Sequence, residues 1–246
     1  MRRTFIKNIE EDGTKKIKMK KKYNNNISVV IRTRNEERWI GYALQSIMDH
    51  LDKPEIIIVD DFSSDETINI IKSFMANPLI SKKDTKYINI KIFRLKNYSP
   101  GKFLNFGIKK AKFNNVMVIS AHCVLKKINI EKLINNLKKY VAIFGNQIPI
   151  WRGKKITKRY IWSHFINTET VNMFSKMEKR YFFHNAAAFY NRSFMLRNPF
   201  DENLHAKEDR YWANKIVKKG KKYLYDPKFC VEHQYTEAGN TWKGIG

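Results

Sequence analysis

Residues 27–47 read ISVVIRTRNEERWIGYALQSI, and residues 55–71 read EIIIVDDFSSDETINII. Each begins as a short β-branched run, Ile27–Ile31 and Ile56–Val59, that suits a strand buried on both faces. Each then passes through polar residues and resumes with helical spacing. Over 37–51 the apolar positions Ile40, Leu44, Ile47, Met48 and Leu51 share one helical face, and Pro54 closes the connection. In the second stretch Ser63 and Glu66 have the form of a capping box. It would open a helix through Ile68, Ile71, Phe74 and Met75.

The unit repeats. Residues 88–95 alternate as a strand with Ile88, Ile90 and Ile92 inward, and Pro100-Gly101 precedes a helix over 102–112. Val116–Ser120 is a fourth buried strand and 129–139 a further helix. Strand and helix alternating in this way predict an α/β fold with a mostly parallel central sheet and helices on both faces. Ligands of such sheets lie beyond the carboxyl ends of the strands. The residues to inspect are therefore Thr33-Arg34-Asn35-Glu36, Asp60-Asp61 and Ser120-Ala121-His122.

After residue 140 the alternation weakens. Val141–Ile150 reads as a strand, 160–176 as an aromatic helix, and His184–Tyr190 as a strand. Residues 207–219 form a helix with Trp212, Ile216 and Val217 apolar, and 222–235 form one or two strands. The expected organisation is a basic tail over 1–26, one domain over 27–236, and a Gly-rich tail or lid over 237–246. Within the domain, 27–125 would bind nucleotide and 126–236 would face an acceptor.

Composition narrows the partners. A hydrophobic share of 43% with 16 Phe and 12 Tyr is that of a globular chain, which excludes wholesale disorder. Apolar runs such as Ala186–Tyr190 stop far short of the roughly 20 residues a membrane-spanning helix needs. The basic N-terminal stretch has no apolar segment, so it does not read as a signal peptide. Two cysteines, Cys123 and Cys230, make no disulfide framework and read as reduced thiols of a cytoplasmic protein. The net charge of +25 suits nucleic acid, an anionic inner-leaflet surface, or a Lys-rich composition bias. The lysines spread along the whole chain, and the strand-end carboxylates would repel a phosphate backbone, so no nucleic-acid partner is expected. A peripheral place on the inner face of a membrane is.

Two adjacent carboxylates ending a buried strand, Asp60-Asp61, raise each other's pKa. Either one caps the next helix while the other faces water, or one accepts a hydrogen bond from a nucleobase N–H. With these residues in view, the two opening stretches resemble the family 2 glycosyltransferases of the GT-A fold. The hallmarks are a strand ending in Thr/Ser-x-Asn-Glu and a later strand ending in Val-Asp-Asp-x-Ser-x-Asp. The resemblance covers about residues 27–240, strongly to about 125. It implies an inverting transfer of sugar from a UDP- or GDP-linked donor to a hydroxyl of a growing surface glycan, capsular or lipid-linked. It also implies that Thr33, Arg34, Asn35 and Glu36 line the nucleotide pocket and that Asp61, beside Asp60, holds the base. "SPGKFLNFGIKKA" is similar to the family's next segment, which brings Gly101, Lys102 and Asn105 to the nucleotide-sugar.

The chain departs from the family at the fourth strand. Where Asp-x-Asp usually holds a divalent metal, Ser120-Ala121-His122 stands instead. Mg²⁺ prefers oxygen ligands, whereas an imidazole favours Mn²⁺ or another softer ion. Either His122 and His233 hold a metal, or the enzyme uses none and Lys102 with other cations offsets the leaving-group charge, or, as the missing Asp-x-Asp also allows, the chain binds a sugar nucleotide without catalysis. Glu208-Asp209 opens the helix of "AKEDRYWANKI", where the helix dipole alone favours acids. Its pattern resembles the family's Glu-Asp segment, which makes Asp209 the general base and Glu208 a donor-sugar neighbour. "HNAAAFYNRSF" (184–194) resembles the segment before it and offers His184 and Asn185 as sugar or phosphate contacts.

Overall fold

The computed structural model describes residues 6–9, 15–18, 26–76, 89–158 and 160–235. Ile6–Ile9 (β1) and Lys15–Lys18 (β2) pair as an antiparallel ribbon, so the stretch read as a tail carries regular backbone. The C-terminal tail or lid, 237–246, lies outside the described residues.

The opening stretches fold as read. Ile27–Thr33 (β3) leads through a loop to Ile40–His50 (α1), and Glu55–Asp60 (β4) leads to Thr67–Ala76 (α2). Asn89–Arg94 (β5), Pro100–Lys110 (α3) and Asn115–Ile119 (β6) complete a parallel group in which β3 lies between β4 and β6, with β5 outside β4. Alternate side chains of these strands enter different cores. Val29, Ile31, Ile56 and Ile58 pack with Ile40, Leu44 and Ile71 on one face. Val30, Ile57 and Val59 pack with Phe103, Leu104 and Ile108 of α3 on the other. A β-branched strand with no polar face is what this two-sided burial requires. Gly107 lets α3 seat directly on β3, because a Cβ there would stand 2.4 Å from Val30 Cγ1.

The second half turns the sheet mixed. Cys123–Lys127 (β7) and Ile130–Asn136 (α4) follow β6, and Ala142–Trp151 (β8) continues to Lys154–Lys155 (β9). The expected helix over 160–176 is replaced by a single 3₁₀ turn, Tyr160–His164, and two short strands, Thr170–Val171 (β10) and Phe174–Ser175 (β11). Thr170 and Val171 are β-branched, and they meet an open ladder position on the last strand, which wins over the helical spacing. Phe174–Ser175 pairs with Arg180–Tyr181 (β12) as a separate hairpin. Ala187–Asn191 (β13) runs antiparallel between β6 and β8. Arg192–Arg197 (α5) and Glu208–Lys218 (α6) precede Leu224–Gln234 (β14). That last strand is parallel to β8, antiparallel to β7 and β10, and irregular between Asp226 and Cys230, where Pro227 cannot donate to the ladder. The topology puts the ends of β3, β4, β6, β8 and β14 and the start of β13 along one edge. Every candidate residue lies on that edge or beside it.

Candidate active site

The loops after β3 and β4 are laced together. Asn35 N–H donates to Ser63 Oγ at 2.9 Å, and Asn35 Oδ1 accepts from Ser64 N–H at 2.8 Å. Glu36 N–H donates to Thr67 Oγ1 at 2.7 Å, and Glu37 N–H to Asp65 Oδ2 at 3.0 Å. Ser63 therefore does not form the expected capping box. Its hydroxyl turns back to Asp60 Oδ1, while Asp65 Oδ1 accepts from Thr67 N–H. Asn35 (φ 51°) and Phe62 (φ 50°) are both left-handed. For a residue as bulky as Phe this is a strained conformation, of the kind that surrounding structure holds at working loops.

The same lacing distinguishes the two aspartates. Asp60 is fully buried and accepts from Ser63 N–H and Oγ, with Arg94 Nε at 3.7 Å. Its oxygens are spent on the loop. Asp61 is largely buried and pairs with the exposed Arg34 at 2.9 Å. The Thr33 hydroxyl is buried beside them and has no partner among the described residues.

At the end of β6, Ser120 N–H donates to Ala186 O at 3.1 Å, so Ser120, Ala121 and His122 sit against the start of β13. His122 Nδ1 lies 2.8 Å from Glu36 Oε1, and its Nε2 lies 3.1 Å from Nε2 of His233. His233 Nδ1 in turn meets Gln147 Oε1 at 2.8 Å. Burial holds His233 well below the usual imidazole range, and the neighbouring His122 and His184 push it the same way. His184 is likewise neutral, lowered to about 3, chiefly by burial. With each Nδ1–H directed outward to an oxygen, both Nε2 lone pairs face one point, an arrangement that calls for a cation or a proton between them. Among the described residues no group of three or more His, Cys, Asp or Glu converges on one point.

The acidic pair opens α6 behind the left-handed Lys207 (φ 60°). Asn185 joins the pair to β13: its N–H donates to Asp209 Oδ2 at 3.0 Å and its side-chain amide to Glu208 Oε1 at 3.1 Å. Tyr190 Oη donates to Asn185 Oδ1 and fixes that amide. Arg210 donates to Asp209 Oδ1 from both its backbone, at 2.8 Å, and its guanidinium, at 3.0 Å. The same guanidinium reaches Glu178 at 3.1 Å. Burial alone would raise both acids, and for Glu208 it prevails, reinforced by the charge of Asp209 and opposed by Arg32 at 3.4 Å. For Asp209, Arg210, His184 and the two backbone donors overcome burial and hold it below the ordinary aspartate range. Two neighbouring carboxyls are thus driven apart, Asp209 below its ordinary range and Glu208 above it.

The third group is placed differently from the other two. Gly101 gives α3 close access to the loop ahead of α6, since a Cβ there would stand 2.4 Å from Asp201 O. Asn105 spends its amide on that loop, donating to Phe200 O at 3.0 Å and Glu202 Oε1 at 2.9 Å and accepting from Phe200 N–H. Lys102 Nζ donates to Lys96 O at 3.0 Å. Gly101 and Asn105 thus hold the loop ahead of α6, while Lys102 folds back on the loop between β5 and α3.

The family model described as "Glycosyl transferase family 2" matches residues 28–198, more than half the chain. The chain belongs to glycosyltransferase family 2. Among its relatives, the 4,4'-diaponeurosporenoate glycosyltransferase of Staphylococcus aureus (strain USA300) is 29% identical over 158 residues, 62% of this chain and 39% of that one. The poly-beta-1,6-N-acetyl-D-glucosamine synthase of Staphylococcus epidermidis is 32% identical over 125 residues, 49% of this chain and 28% of that one. The chain therefore spans well under half the length of these relatives. S. aureus TarS 1–349, solved in complex with UDP-GlcNAc, matches 87% of the chain and 60% of its own with TM-score 0.63 and 18% identity. The mannosyltransferase PcManGT of Pyrobaculum calidifontis, in complex with GDP-Man and Mn²⁺, matches 87% and 58% with TM-score 0.61 and 18% identity. At such identity these structures establish the GT-A fold.

Several participants escaped the sequence reading. Arg32 carried one signal, a cation inside the otherwise apolar run of β3. Arg210 stood next to Asp209, but nothing in the sequence pointed Glu178 or Tyr190 toward it. Gln147 lay unremarked in an apolar strand. Trp162 and Trp212 are buried in the core.

Proposed function

We propose that this glycosyltransferase moves one sugar, with inversion, from a UDP- or GDP-linked donor to a hydroxyl of a growing surface glycan, free or lipid-linked, on the cytoplasmic side of a membrane. The observation that carries the reading is the divided Glu208–Asp209 pair at the carboxyl edge of the sheet. A hydroxyl is a poor nucleophile near neutral pH and needs an ionised carboxylate within reach. Asp209, held ionised by Arg210, takes that proton as the hydroxyl oxygen attacks the anomeric carbon opposite the departing diphosphate. Glu208, with Arg32 and Asn185, borders the donor sugar. At the other end Asp61 accepts the base N–H beside Arg34, while Thr33, Asn35 and Glu36 line the nucleotide and the buried Thr33 hydroxyl supplies an unused polar contact.

The imidazoles of His122 and His233 fit a divalent cation, since both Nε2 atoms face one point and Glu36 and Gln147 orient the rings. Mn²⁺ suits such nitrogen ligands better than Mg²⁺, and a bound ion supplies positive charge against the diphosphate. Turning the Gln147 amide round lets His233 donate to His122, which suits the metal-free state.

Calorimetric titration with UDP and GDP, with and without Mn²⁺, tests the site, using wild type, Asp61→Ala, His233→Ala and Asp209→Asn. Base-selective binding disappears in Asp61→Ala, and the Mn²⁺ dependence disappears in His233→Ala. Asp209→Asn keeps donor binding and loses about 10²–10⁴-fold in turnover. Loss of binding together with activity in Asp209→Asn would give that residue a structural role instead. A product retaining the donor's anomeric configuration, read by NMR, would overturn inversion.

A further inference from the structure

The β11–β12 hairpin and the adjoining face of α6 form a surface of unusual chemistry. Phe174 and Met177 stand 52% and 56% exposed on the hairpin, and Tyr211 on α6 is 49% exposed. These apolar groups are ringed by cations. Lys176 and Lys179 are exposed on the hairpin turn, and Arg180 lies over the Tyr211 ring at 5.1 Å. On α6, Tyr211, Lys215 and Lys218 follow at i, i+4 and i+7, so all three project from one side of the helix, and all are exposed. Asn214, between them, ties that helix to Tyr181 of the hairpin, accepting from its N–H at 3.3 Å.

The hairpin's own carboxylate is turned inward. Glu178, in the hairpin turn, points away from solvent to Arg210, and Glu208 and Asp209 are buried in the first turn of α6. An aromatic and methionine tip flanked by exposed lysines, with Glu178 turned inward to Arg210, matches the interface of an anionic bilayer. The apolar groups enter the acyl boundary while the long lysine stems keep their charges among the headgroups.

We propose that this face docks the enzyme on an anionic phospholipid surface. The hairpin then brings the site toward the membrane, because Glu178 is joined through Arg210 to Asp209. The proposal goes beyond sugar transfer, and its test reads lipid binding alone.

Co-sedimentation of the full chain with vesicles of phosphatidylcholine, alone or mixed with phosphatidylglycerol, gives the primary readout. Binding is expected only to the mixed vesicles. It should weaken about tenfold or more in the double variant Phe174→Ser, Met177→Ser, since each buried apolar side chain contributes on that scale. The control Tyr42→Ser, Met75→Ser, on exposed apolar positions of α1 and α2, should bind as wild type. A Met177→Trp variant gives a second readout, a blue shift of its emission on the mixed vesicles. Equal binding to neutral vesicles, equal loss in the control, or unchanged binding in the hairpin variant would overturn the proposal. So would sedimentation of wild type as a dimer that the hairpin variant abolishes, which would assign the face to a second copy of this chain.

Discussion

Arg210 lies between two buried carboxylates, 3.0 Å from Asp209 and 3.1 Å from Glu178, with its guanidinium over the Phe182 ring at 4.8 Å. Replacing it by Met keeps much of the volume and removes the cation. Each charge-assisted hydrogen bond lost costs about 1.5–3 kcal/mol. Because both acids are then left without their counter-charge, the loss should approach the roughly 3–5 kcal/mol of a broken buried pair. Set against a total stability of about 5–15 kcal/mol, this is a large fraction but leaves a folded protein to measure. The pH dependence has a definite sign. Asp209 is held below its unfolded value, so its pairing stabilises the fold above that value and is lost as pH falls through the folded one. Arg210→Met should therefore destabilise most near neutrality and progressively less in acid. The acid limb of kcat/KM should also move to higher pH, because burial of Asp209 is no longer opposed by Arg210. Urea unfolding at several pH values, with a donor-saturated rate profile, reads both effects. Adding Glu178→Gln should recover part of the stability, since removing both partners leaves fewer stranded charges. A loss below about 1 kcal/mol at pH 7, or one independent of pH, would refute the reasoning.

Two further outcomes follow from the fold. Glu55, fully buried at the start of β4, is pushed up by burial but held net below its ordinary value by Lys91 at 2.8 Å, Ser28 and the Lys112 N–H. Its stabilisation is present above the unfolded value near 4.5 and fades as pH falls through the folded one, so Glu55→Gln should cost more at pH 7 than in acid by denaturant titration. Gly107→Ala gains about 1 kcal/mol of helix propensity, yet its Cβ meets Val30, a stiff side chain locked in the core, at 2.4 Å. Overpacking of about 1–3 kcal/mol should win, and a raised Tm would show that α3 can move away.

What was legible in the sequence was local. Runs such as Ile56–Val59 state a strand buried on both faces, and the spacing Ile40, Leu44, Ile47 states the helix that covers one of them, because burial imposes its period on the residues themselves. The polar loops at the strand ends followed from the alternation, and the acids at 208–209 from their family pattern. Tertiary structure decided how those residues are used. Asp60 and Asp61 look alike in sequence, and only the fold turns one to Ser63 and Arg94 and the other to Arg34. His122 and His233 are 111 residues apart and face each other at 3.1 Å only because β14 comes to lie beside β7 and β8. Asn105, which resembled a donor contact, is spent on a loop 95 residues away. Helical spacing over 160–176 gave way to strands once β14 offered Thr170 and Val171 a ladder to join. Periodicity records which face of an element is buried; partners, charges and tautomers depend on which elements the chain topology brings to the same edge.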